Sequence, residues 1–224
     1  MISFNFGSIA GASPVLFQGM WVTARITLTA MVVGIGWGTL LAVARISSIK
    51  SLAWASAAYV NLFRSIPLVM VILWFFLIVP QLMHAVFGNA VEDIRFASAL
   101  VAFSLFEAAY YAEIMRAGIL SVSQGQFNAG LALGFTRSET VRLIILPQAF
   151  RNMLPLLLTQ AVILFQDTSL VYVIGLSDFF GTAYKVGDRD GRLVEMLLFA
   201  GAVYFVISFS LSQLVARFQK RSTR

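Results

Sequence analysis

Residues 128–147 read NAGLALGFTRSETVRLIILP, and this stretch carries local signals for the start and the end of a helix. Thr136 and Glu139 have the spacing of a capping box, in which the hydroxyl and the carboxylate each accept a hydrogen bond from a free backbone N–H group. Pro147 has no N–H group with which to continue a helical hydrogen-bond pattern. These signals predict a short helix that begins after Thr136 and ends at Leu146.

A second short helix is predicted immediately before this one. Ser123 and Gln126 repeat the capping-box spacing, and Gly134 suits the left-handed conformation that often follows a helix end. The two helices are therefore expected to meet at Gly134.

The earlier helix has little side-chain bulk, because Ala129, Gly130 and Ala132 fall within it. Small residues allow the backbone of another molecule to approach closely. The spacing alone leaves two interpretations open. The pair of helices is either a docking element for a second protein or an interfacial pair that lies on a membrane.

The composition of the whole chain is that of a membrane protein. Of its 224 residues, 59% are hydrophobic and 12% are charged, and the mean hydropathy is +0.86. Soluble domains are roughly 45–50% apolar and about 25% charged. Apolar runs near the length of about 20 residues that crosses a bilayer predict five transmembrane helices within one membrane domain, residues 19–216. The predicted spans are 21–43, 55–79, 96–115, 153–176 and 194–216, and a long loop at 121–147 separates the third from the fourth.

The distribution of basic residues predicts the orientation of these spans. Eleven basic residues share a side of the membrane with the C-terminus, and five lie on the other side. Because cytoplasmic loops are enriched in Lys and Arg, we expect the C-terminus in the cytoplasm and the N-terminus in the periplasm. The same sorting explains the formal charge of +6 better than nucleic-acid binding does, since the aromatic residues lie inside the apolar runs. The eleven are Arg45, Lys50, Arg64, Arg116, Arg137, Arg142, Arg151, Arg217, Lys220, Arg221 and Arg224, and the five are Arg25, Arg95, Lys185, Arg189 and Arg192.

The loop at residues 121–147 resembles the cytoplasmic loop of ABC-importer permeases. That family carries the pattern E-A-A, three residues, G, nine residues and then I-x-L-P. Asn128 stands where the family usually has an acidic residue, and Gly130 replaces the second alanine. In the family this loop inserts into a cleft of the ATPase subunit, so the resemblance implies that residues 121–147, hereafter the coupling loop, dock on a separate ATPase. The matching positions are Asn128, Ala129, Gly130, Gly134, Ile144, Leu146 and Pro147.

Three further segments resemble the polar amino-acid permeases of that family. They are FRSIPL at residues 63–68, YAEIMRAG at residues 111–118 and QDTSL at residues 166–170. The resemblance covers nearly the whole chain and is closest to the glutamate/aspartate permeases. It implies an all-α polytopic membrane protein with the type I ABC-importer (MetI-like) permease fold, in which two permease chains form the pore.

The resemblance also implies partners and a location. A second permease subunit, ABC ATPase subunits and a periplasmic amino-acid-binding protein are expected to assemble with this chain in the inner membrane of a bacterial cell. The expected cargo is glutamate or aspartate, with glutamine, arginine and histidine as alternatives. The sequence has no G-x-x-x-x-G-K-[ST] phosphate loop. ATP hydrolysis is therefore assigned to the separate subunit, and this chain is expected to be non-catalytic, without a cofactor.

Four consecutive polar residues interrupt the fourth predicted span. Residues 153–165 alone are too short to cross the hydrocarbon at about 1.5 Å per residue, so Gln166, Asp167, Thr168 and Ser169 are expected near mid-membrane. Polar groups at that depth mark a transport pathway or a broken helix. The alternative is a helix–helix contact made by Thr168 and Ser169. An ionised and unpaired Asp167 would repel an anionic substrate. The alternatives are that it pairs with a basic residue, for which Arg64 is the candidate, or that it forms a hydrogen bond with the broken helix.

Three residues of the second and third spans complete the predicted pathway. Pro67 frees a backbone carbonyl and is expected to kink the second span. Arg64 is either an anchor at the cytoplasmic border or a gate near the inner mouth. Glu107 lies near the middle of the third span and should face the bundle interior. Further along, Glu113 and Arg116 have the spacing of an ion pair on one helix face.

Two other classes of protein fit the sequence less well. A membrane enzyme needs a cluster of His, Cys or paired carboxylates, and a metal site needs ligands that a chain with no cysteine and one histidine does not supply. A carrier driven by an ion gradient is expected to show internal repeats and more spans.

Overall fold

The computed structural model describes residues 7–87 and 94–222, and the elements in those ranges are all helical. The predicted all-α fold is thereby confirmed. A π-helical turn, Val141–Ile145, precedes α7, and a 3-10 helix, Thr168–Ile174, follows it. The helices are α1 (Gly7–Arg45), α2 (Lys50–Arg64), α3 (Leu68–Phe87), α4 (Ile94–Leu120), α5 (Gln124–Ala132), α6 (Arg137–Thr140), α7 (Leu146–Asp167), α8 (Phe179–Arg189) and α9 (Leu193–Ser222).

Four helical stretches of the described chain are long and apolar enough to cross a bilayer. They are Ile9–Arg45, Ile94–Leu120, Arg137–Ile174 and Leu193–Arg217. Helices α2 and α3 form a fifth crossing if they are taken together. The count of five spans therefore remains a prediction.

The second predicted span is two helices instead of one kinked helix over residues 55–79. The axes of α2 and α3 differ in direction by 105° across the break at residues 65–67. Pro67 has no N–H group for a helical bond and disfavours the helical conformation at Ile66. The kink at Pro67 is confirmed, and it is large enough to end α2.

The first helix begins well before residue 21, where the sequence predicts the first span. Ala12 and Leu16 on these early turns are buried in one cluster with side chains of α8 and α9. The helix therefore extends beyond the predicted span, and the position of the span within it remains a prediction.

The most extensive contact between two helices of the described chain is that of α1 with α4. A Cβ atom placed on Gly38 would lie 2.9 Å from the carbonyl oxygen of Ala108 and 2.9 Å from Cβ of Tyr111. A Cβ atom on Gly34 would lie 3.2 Å from Cβ of Glu107. Because membrane helices associate through close packing of small residues, these two glycines fix how α1 lies along α4.

Helix α4 also carries the contacts that hold α2 and α7. The hydroxyl of Tyr59 on α2 donates to the carbonyl oxygen of Leu105 on α4 at 2.8 Å. A Cβ atom on Gly118 of α4 would lie 2.7 Å from Cβ of Met153 on α7, so these helices also approach closely. Helix α4 is therefore the central element on which the site is built.

Helix α8 is not among the predicted elements, and a buried carboxylate organises it. Asp178 accepts hydrogen bonds from the backbone N–H groups of Phe180 and Gly181 at 3.2 and 2.8 Å, which caps the helix start. The same carboxylate accepts from Thr23 on α1 at 3.5 Å and from Tyr204 on α9 at 3.3 Å. Burial raises the pKa of Asp178 to about 6, although these donors act to lower it. One side chain thus joins α1, α8 and α9.

We expect Gly38→Val to lower the stability of the protein by about 1–3 kcal/mol, because the added side chain overpacks the contact between α1 and α4. Gly36→Val is the matched control, since a Cβ atom on Gly36 meets no atom within 4 Å. The measurement is the thermal unfolding of the purified protein in detergent. Equal unfolding temperatures for the two variants would contradict the assigned role of Gly38.

Candidate functional site

The second half of the coupling loop begins with the predicted capping box. The backbone N–H of Glu139 donates to Oγ1 of Thr136 at 3.2 Å, and the backbone N–H of Thr136 donates to Oε2 of Glu139 at 2.8 Å. Two of the free N–H groups at the start of α6 are thus satisfied, and the prediction is confirmed.

The glycine between the two short helices has the predicted left-handed conformation. Gly134 has a φ of 87° and follows the last residues of α5. Its N–H donates to the carbonyl oxygen of Leu131 at 3.0 Å, and the N–H of Phe135 donates to that of Gly130 at 3.2 Å. This pair of bonds is a Schellman motif, which satisfies carbonyl groups left free at a helix end.

The capping box predicted at the start of the earlier helix is wrong. Ser123 is the N-cap residue of α5, but its side chain makes no capping hydrogen bond. The backbone N–H of Gln126 donates instead to the carbonyl oxygen of Ser123 at 3.0 Å. Because that N–H is already satisfied, the hydroxyl is not needed to cap the helix.

Pro147 does not end the second helix, contrary to the prediction. The N–H of Leu146 donates to the carbonyl oxygen of Val141, five residues back, which is the bond of a π-turn. The wider turn gives room for a proline ring that would otherwise clash with the carbonyl four residues before it. The helical path consequently runs from Arg137 through Pro147 to Asp167.

Most of the motif positions in the coupling loop are exposed. Asn128, Ala129, Gly134, Leu146 and Pro147 are exposed, and Ile144 is half-buried. Large apolar side chains beside them are also exposed, with Leu133 at 77%. A surface of this kind is typical of a contact region.

Gly130 is the exception among the small residues of α5. It is buried, and a Cβ atom on it would lie 2.6 Å from Cγ2 of Thr140 and 3.0 Å from Cδ1 of Ile144. This glycine allows α5 to pack against the following helical segment of its own chain. The expectation that Gly130 leaves an open surface for another protein is therefore wrong.

One predicted pathway residue, Arg64, lies against Tyr110, which the sequence does not single out. The guanidinium of Arg64 lies 5.5 Å from the centroid of the Tyr110 ring. Arg64 ends α2 and Tyr110 lies on α4, so this contact joins two helices. The available signal was spacing, because Tyr110 is three residues from both Glu107 and Glu113 and shares their helix face.

The polar tetrad lies where α7 changes its helical form. Asp167 is half-buried at the last residue of α7, and the 3-10 helix begins at Thr168. Thr168 is buried and donates its hydroxyl to the carbonyl oxygen of Phe165 at 2.7 Å, which supports the local structural interpretation for this residue. Gln166 is exposed and Ser169 is half-buried. The helical path changes from α to 3-10 at the tetrad and continues to Ile174, so a broken helix exposing backbone groups to a pathway remains a prediction.

The ion pair considered between Asp167 and Arg64 does not form within the described residues. The ion pairs found there are Arg116–Glu113, Arg189–Asp190 and Arg192–Glu195. The first of these confirms the pair predicted on α4. The described residues also hold no group of three or more His, Cys, Asp or Glu side chains that could bind a metal.

Glu107 faces the bundle interior, as expected, but it is fully enclosed. Its exposed fraction is 0%, and both carboxylate oxygens accept from Nε2 of Gln160 on α7, at 3.2 and 3.1 Å. Gly34 of α1 packs against its Cβ atom. The side chain therefore ties α4 to α7, and a place in the pathway remains a prediction for this residue.

Comparison with known proteins places this arrangement among transport proteins. Residues 34–224 match the family described as "Binding-protein-dependent transport system inner membrane component". The chain is 60% identical to the glutamate/aspartate import permease protein GltK of Escherichia coli O6:H1, over 99% of this chain and 100% of that one. It is 32% identical to the arginine transport system permease protein ArtQ of Bacillus subtilis, over 92% of this chain and 91% of that one.

Solved structures show the same fold. A crystal structure of an amino acid ABC transporter with histidines superposes with a TM-score of 0.87 at 30% identity, covering 98% of this chain and all of that one. The inward-facing MetNI methionine ABC transporter superposes with a TM-score of 0.75 at 21% identity, covering 96% of this chain and 99% of that one. At 21% identity, the similarity to the methionine transporter shows a shared fold alone.

We expect Glu107→Met to destabilise the protein by about 1–3 kcal/mol, because the amide of Gln160 would lose its acceptor inside the bundle. Met has a similar volume, so the variant tests the hydrogen bond with little effect on packing. Glu107→Gln is the control, since its side-chain oxygen can still accept from Gln160. In detergent, the unfolding temperature of the Gln variant should be close to that of the parent, and that of the Met variant should be below both. The reverse ranking would show that the carboxylate has another role.

Proposed function

This chain belongs to the family of inner membrane components of binding-protein-dependent transport systems, and on that premise we propose that it is the permease subunit of an ATP-driven importer of glutamate and aspartate. The observation that carries the proposal is 60% identity with a glutamate/aspartate import permease over essentially the whole of both chains. The helix–glycine–helix geometry of the coupling loop supports it independently. A permease for glutamine, arginine or histidine is the alternative within the family.

The proposed assembly is based on the absence of a phosphate-binding motif from this sequence and on the exposed coupling loop. It has no phosphate-binding loop, so a separate ATPase must supply the free energy. A second permease chain completes the pore, and a periplasmic binding protein delivers the amino acid. The coupling loop faces the cytoplasm in this arrangement, in agreement with the excess of basic residues on that side.

The helical path after Gly134 offers a route for mechanical coupling. The segment that begins at Arg137 continues through the π-turn into α7 and ends at Asp167. An ATPase that moves the coupling loop would tilt α7 as one body and shift Asp167 relative to α4. The pathway beside Arg64 and Tyr110 would then be accessible from one side of the membrane and afterwards from the other.

The charges around Tyr110 suit an α-amino acid. At neutral pH such a molecule carries an α-carboxylate and an ammonium group. Arg64 offers a cation beside Tyr110 and Asp167 an anion at the end of α7, and the two form no ion pair with each other within the described residues. We place the substrate between these two side chains, with its α-carboxylate toward Arg64 and its ammonium toward Asp167. An ionised Asp167 then attracts one end of the substrate instead of repelling it.

Reconstitution tests the function directly. The permease, purified with its ATPase and second permease, is placed in liposomes with the binding protein and radiolabelled glutamate. We expect uptake that requires ATP on the side of the liposome membrane that carries the ATPase. An imposed ion gradient should not change this uptake. Uptake driven by an ion gradient without ATP would overturn the proposal.

We expect Gly134→Val to abolish ATP-coupled uptake while leaving membrane insertion intact, because a β-branched residue is strained at a φ of 87°. Gly125→Val is the matched control, since Gly125 lies within α5 and a Cβ atom there meets its nearest neighbour at 3.7 Å. ATP-driven uptake and co-purification of the ATPase are measured together. Normal uptake by the Gly134 variant would show that coupling occurs elsewhere.

We expect Asp167→Asn to lower uptake roughly tenfold or more, because a charge-assisted hydrogen bond to the ammonium is worth about 1.5–3 kcal/mol. The ATPase should still co-purify, since residue 167 lies at the far end of α7 from the coupling loop. Unchanged uptake in this variant would remove Asp167 from the substrate position.

A further inference from the structure

A cleft of about 490 Å³ lies between α1 and α8. Its volume falls within the roughly 300–1,000 Å³ of sites that hold small molecules. Helix α8 follows α7 by way of the 3-10 helix, so the cleft lies at the opposite end of α7 from the coupling loop. The residues that bound this α1–α8 cleft include Val15, Gln18 and Val22 on α1 and Lys185, Val186 and Arg189 on α8.

The floor of the α1–α8 cleft is a close contact between the two helices. A Cβ atom on Gly19 would lie 2.7 Å from the carbonyl oxygen of Asp178 and 2.7 Å from Oγ1 of Thr182. Val15 and Val22 flank this glycine along α1, and with Val186 they give the cleft a mostly apolar lining. The cleft is therefore formed by the packing of the helices.

One of the two cations in the lining is held in a defined place. Nζ of Lys185 donates to the carbonyl oxygen of Gly175 at 3.2 Å and to Oγ of Ser177 at 2.7 Å. Both acceptors are neutral, and Lys185 takes part in none of the ion pairs of the described residues. Because a lysine ammonium has three N–H donors, one donor and the whole positive charge are available to an anion.

A second uncompensated cation lies close to this ammonium. A Cβ atom on Gly175, whose carbonyl accepts from Lys185, would lie 3.7 Å from Nη1 of Arg95. Arg189 contributes less charge, because Nε of its guanidinium donates to Asp190 at 2.7 Å. The carboxylate of Asp178 is enclosed within the bundle. Positive charge is therefore in excess at this end of the molecule, and an anion there would be attracted by both cations.

The height of the α1–α8 cleft along α1 is that of the predicted membrane border. Trp21, the first residue of the first predicted span, lies on α1 beside Val22 and is 61% exposed. Phe17, one turn earlier, is also exposed. Exposed tryptophan at the end of a span is typical of the interface between membrane and water. The anions that are abundant at this level are the phosphate groups of lipids.

A phospholipid matches both parts of the lining. Its phosphate carries a negative charge, and its glycerol and acyl chains are apolar neighbours for the three valines. A free amino acid or an acidic side chain of a binding protein could reach Lys185, but either has too little apolar surface to cover Val15, Val22 and Val186. The combination of one held cation with apolar walls therefore favours a lipid.

We propose that the α1–α8 cleft binds one anionic phospholipid from the leaflet opposite the coupling loop. The phosphate accepts a hydrogen bond from Nζ of Lys185, and the glycerol and the first carbons of the chains lie against the valines. The bound lipid connects α1 to α8. This site goes beyond the proposed function, since it does not depend on which amino acid is transported.

Lipid binding to the complete purified transporter tests the proposal. Native mass spectrometry follows titrations with dioctanoyl phosphatidylglycerol and dioctanoyl phosphatidylcholine, which differ in head-group charge and have the same chains. We expect one phosphatidylglycerol for each copy of this chain, bound about tenfold more tightly than phosphatidylcholine. Lys185→Gln should remove this preference, because the variant has no charge to offer the phosphate.

Three further variants separate the site from a general effect of charge or fold. Lys185→Arg should keep the preference for phosphatidylglycerol. Val15→Trp should weaken phosphatidylglycerol binding with no change of charge, because the larger side chain fills the α1–α8 cleft. Lys50→Gln is the matched control, since Lys50 is an exposed lysine at the start of α2 outside the cleft, and it should bind both lipids as the parent does.

Thermal unfolding provides a readout that a merely structural role of Lys185 would not move. A ligand that binds the folded protein raises its unfolding temperature. Phosphatidylglycerol should therefore raise the unfolding temperature of the parent more than phosphatidylcholine does, and this difference should vanish in Lys185→Gln. If Lys185 only anchors Gly175 and Ser177, the variant unfolds at a lower temperature in both lipids and the difference between the lipids persists.

Four results would overturn the proposal. They are a parent that binds the two lipids equally, a Lys185→Gln variant that keeps the preference for phosphatidylglycerol, a Val15→Trp variant that binds phosphatidylglycerol as the parent does, and equal losses in Lys185→Gln and Lys50→Gln. ATP hydrolysis stimulated by the binding protein is measured for the same variants. If Lys185→Gln alters that stimulation and leaves lipid binding unchanged, the cleft is a protein contact and the lipid site is rejected.

Discussion

The close contact of α1 with α4 is the constraint on which the remaining structure depends. Lipid offers no hydrophobic drive for two apolar helices to associate, so their contact rests on tight packing. Gly34 and Gly38 permit that packing, since a side chain on either would meet α4 within about van der Waals range or closer. Once α4 is fixed, it presents Tyr110 to Arg64 at the end of α2 and Glu107 to Gln160 on α7.

Helix α7 connects the two regions that the sequence singles out. It begins beside the coupling loop and ends at Asp167, a distance of roughly 30 Å for a helix of this length. The π-turn before Pro147 is what makes the connection continuous. A helix that ended at Pro147 would leave a flexible joint between the coupling loop and the membrane span. The π-turn thus keeps the helical path from Arg137 to Asp167 stiff.

Local backbone rules were sufficient to predict part of the structure of the coupling loop and of the second span. Thr136, Gly134 and Pro67 act through their own capping group, φ angle or missing N–H, so their effects could be predicted from the sequence. The early start of α1 and helix α8 depend on contacts between distant segments, such as that of Asp178 with Thr23 and Tyr204. Hydropathy could place Glu107 inside the bundle, but it could not show that Gln160 encloses it. Tyr110 was overlooked because an aromatic residue in an apolar span carries no distinctive signal of its own.

The two departures from the family motif have different physical consequences. Gly130 is required by this chain's own packing, because even a methyl group there would clash with Thr140. Asn128 is exposed and uncharged, so it can offer hydrogen bonds to a docked ATPase but no ion pair. The exposed side chains of the coupling loop include apolar ones, among them Leu133, and charged ones, among them Arg137 and Glu139. If the loop docks as proposed, the contact at Asn128 is made by hydrogen bonds without an ion pair, and added salt should weaken that contact less than it would weaken one built on an acidic residue.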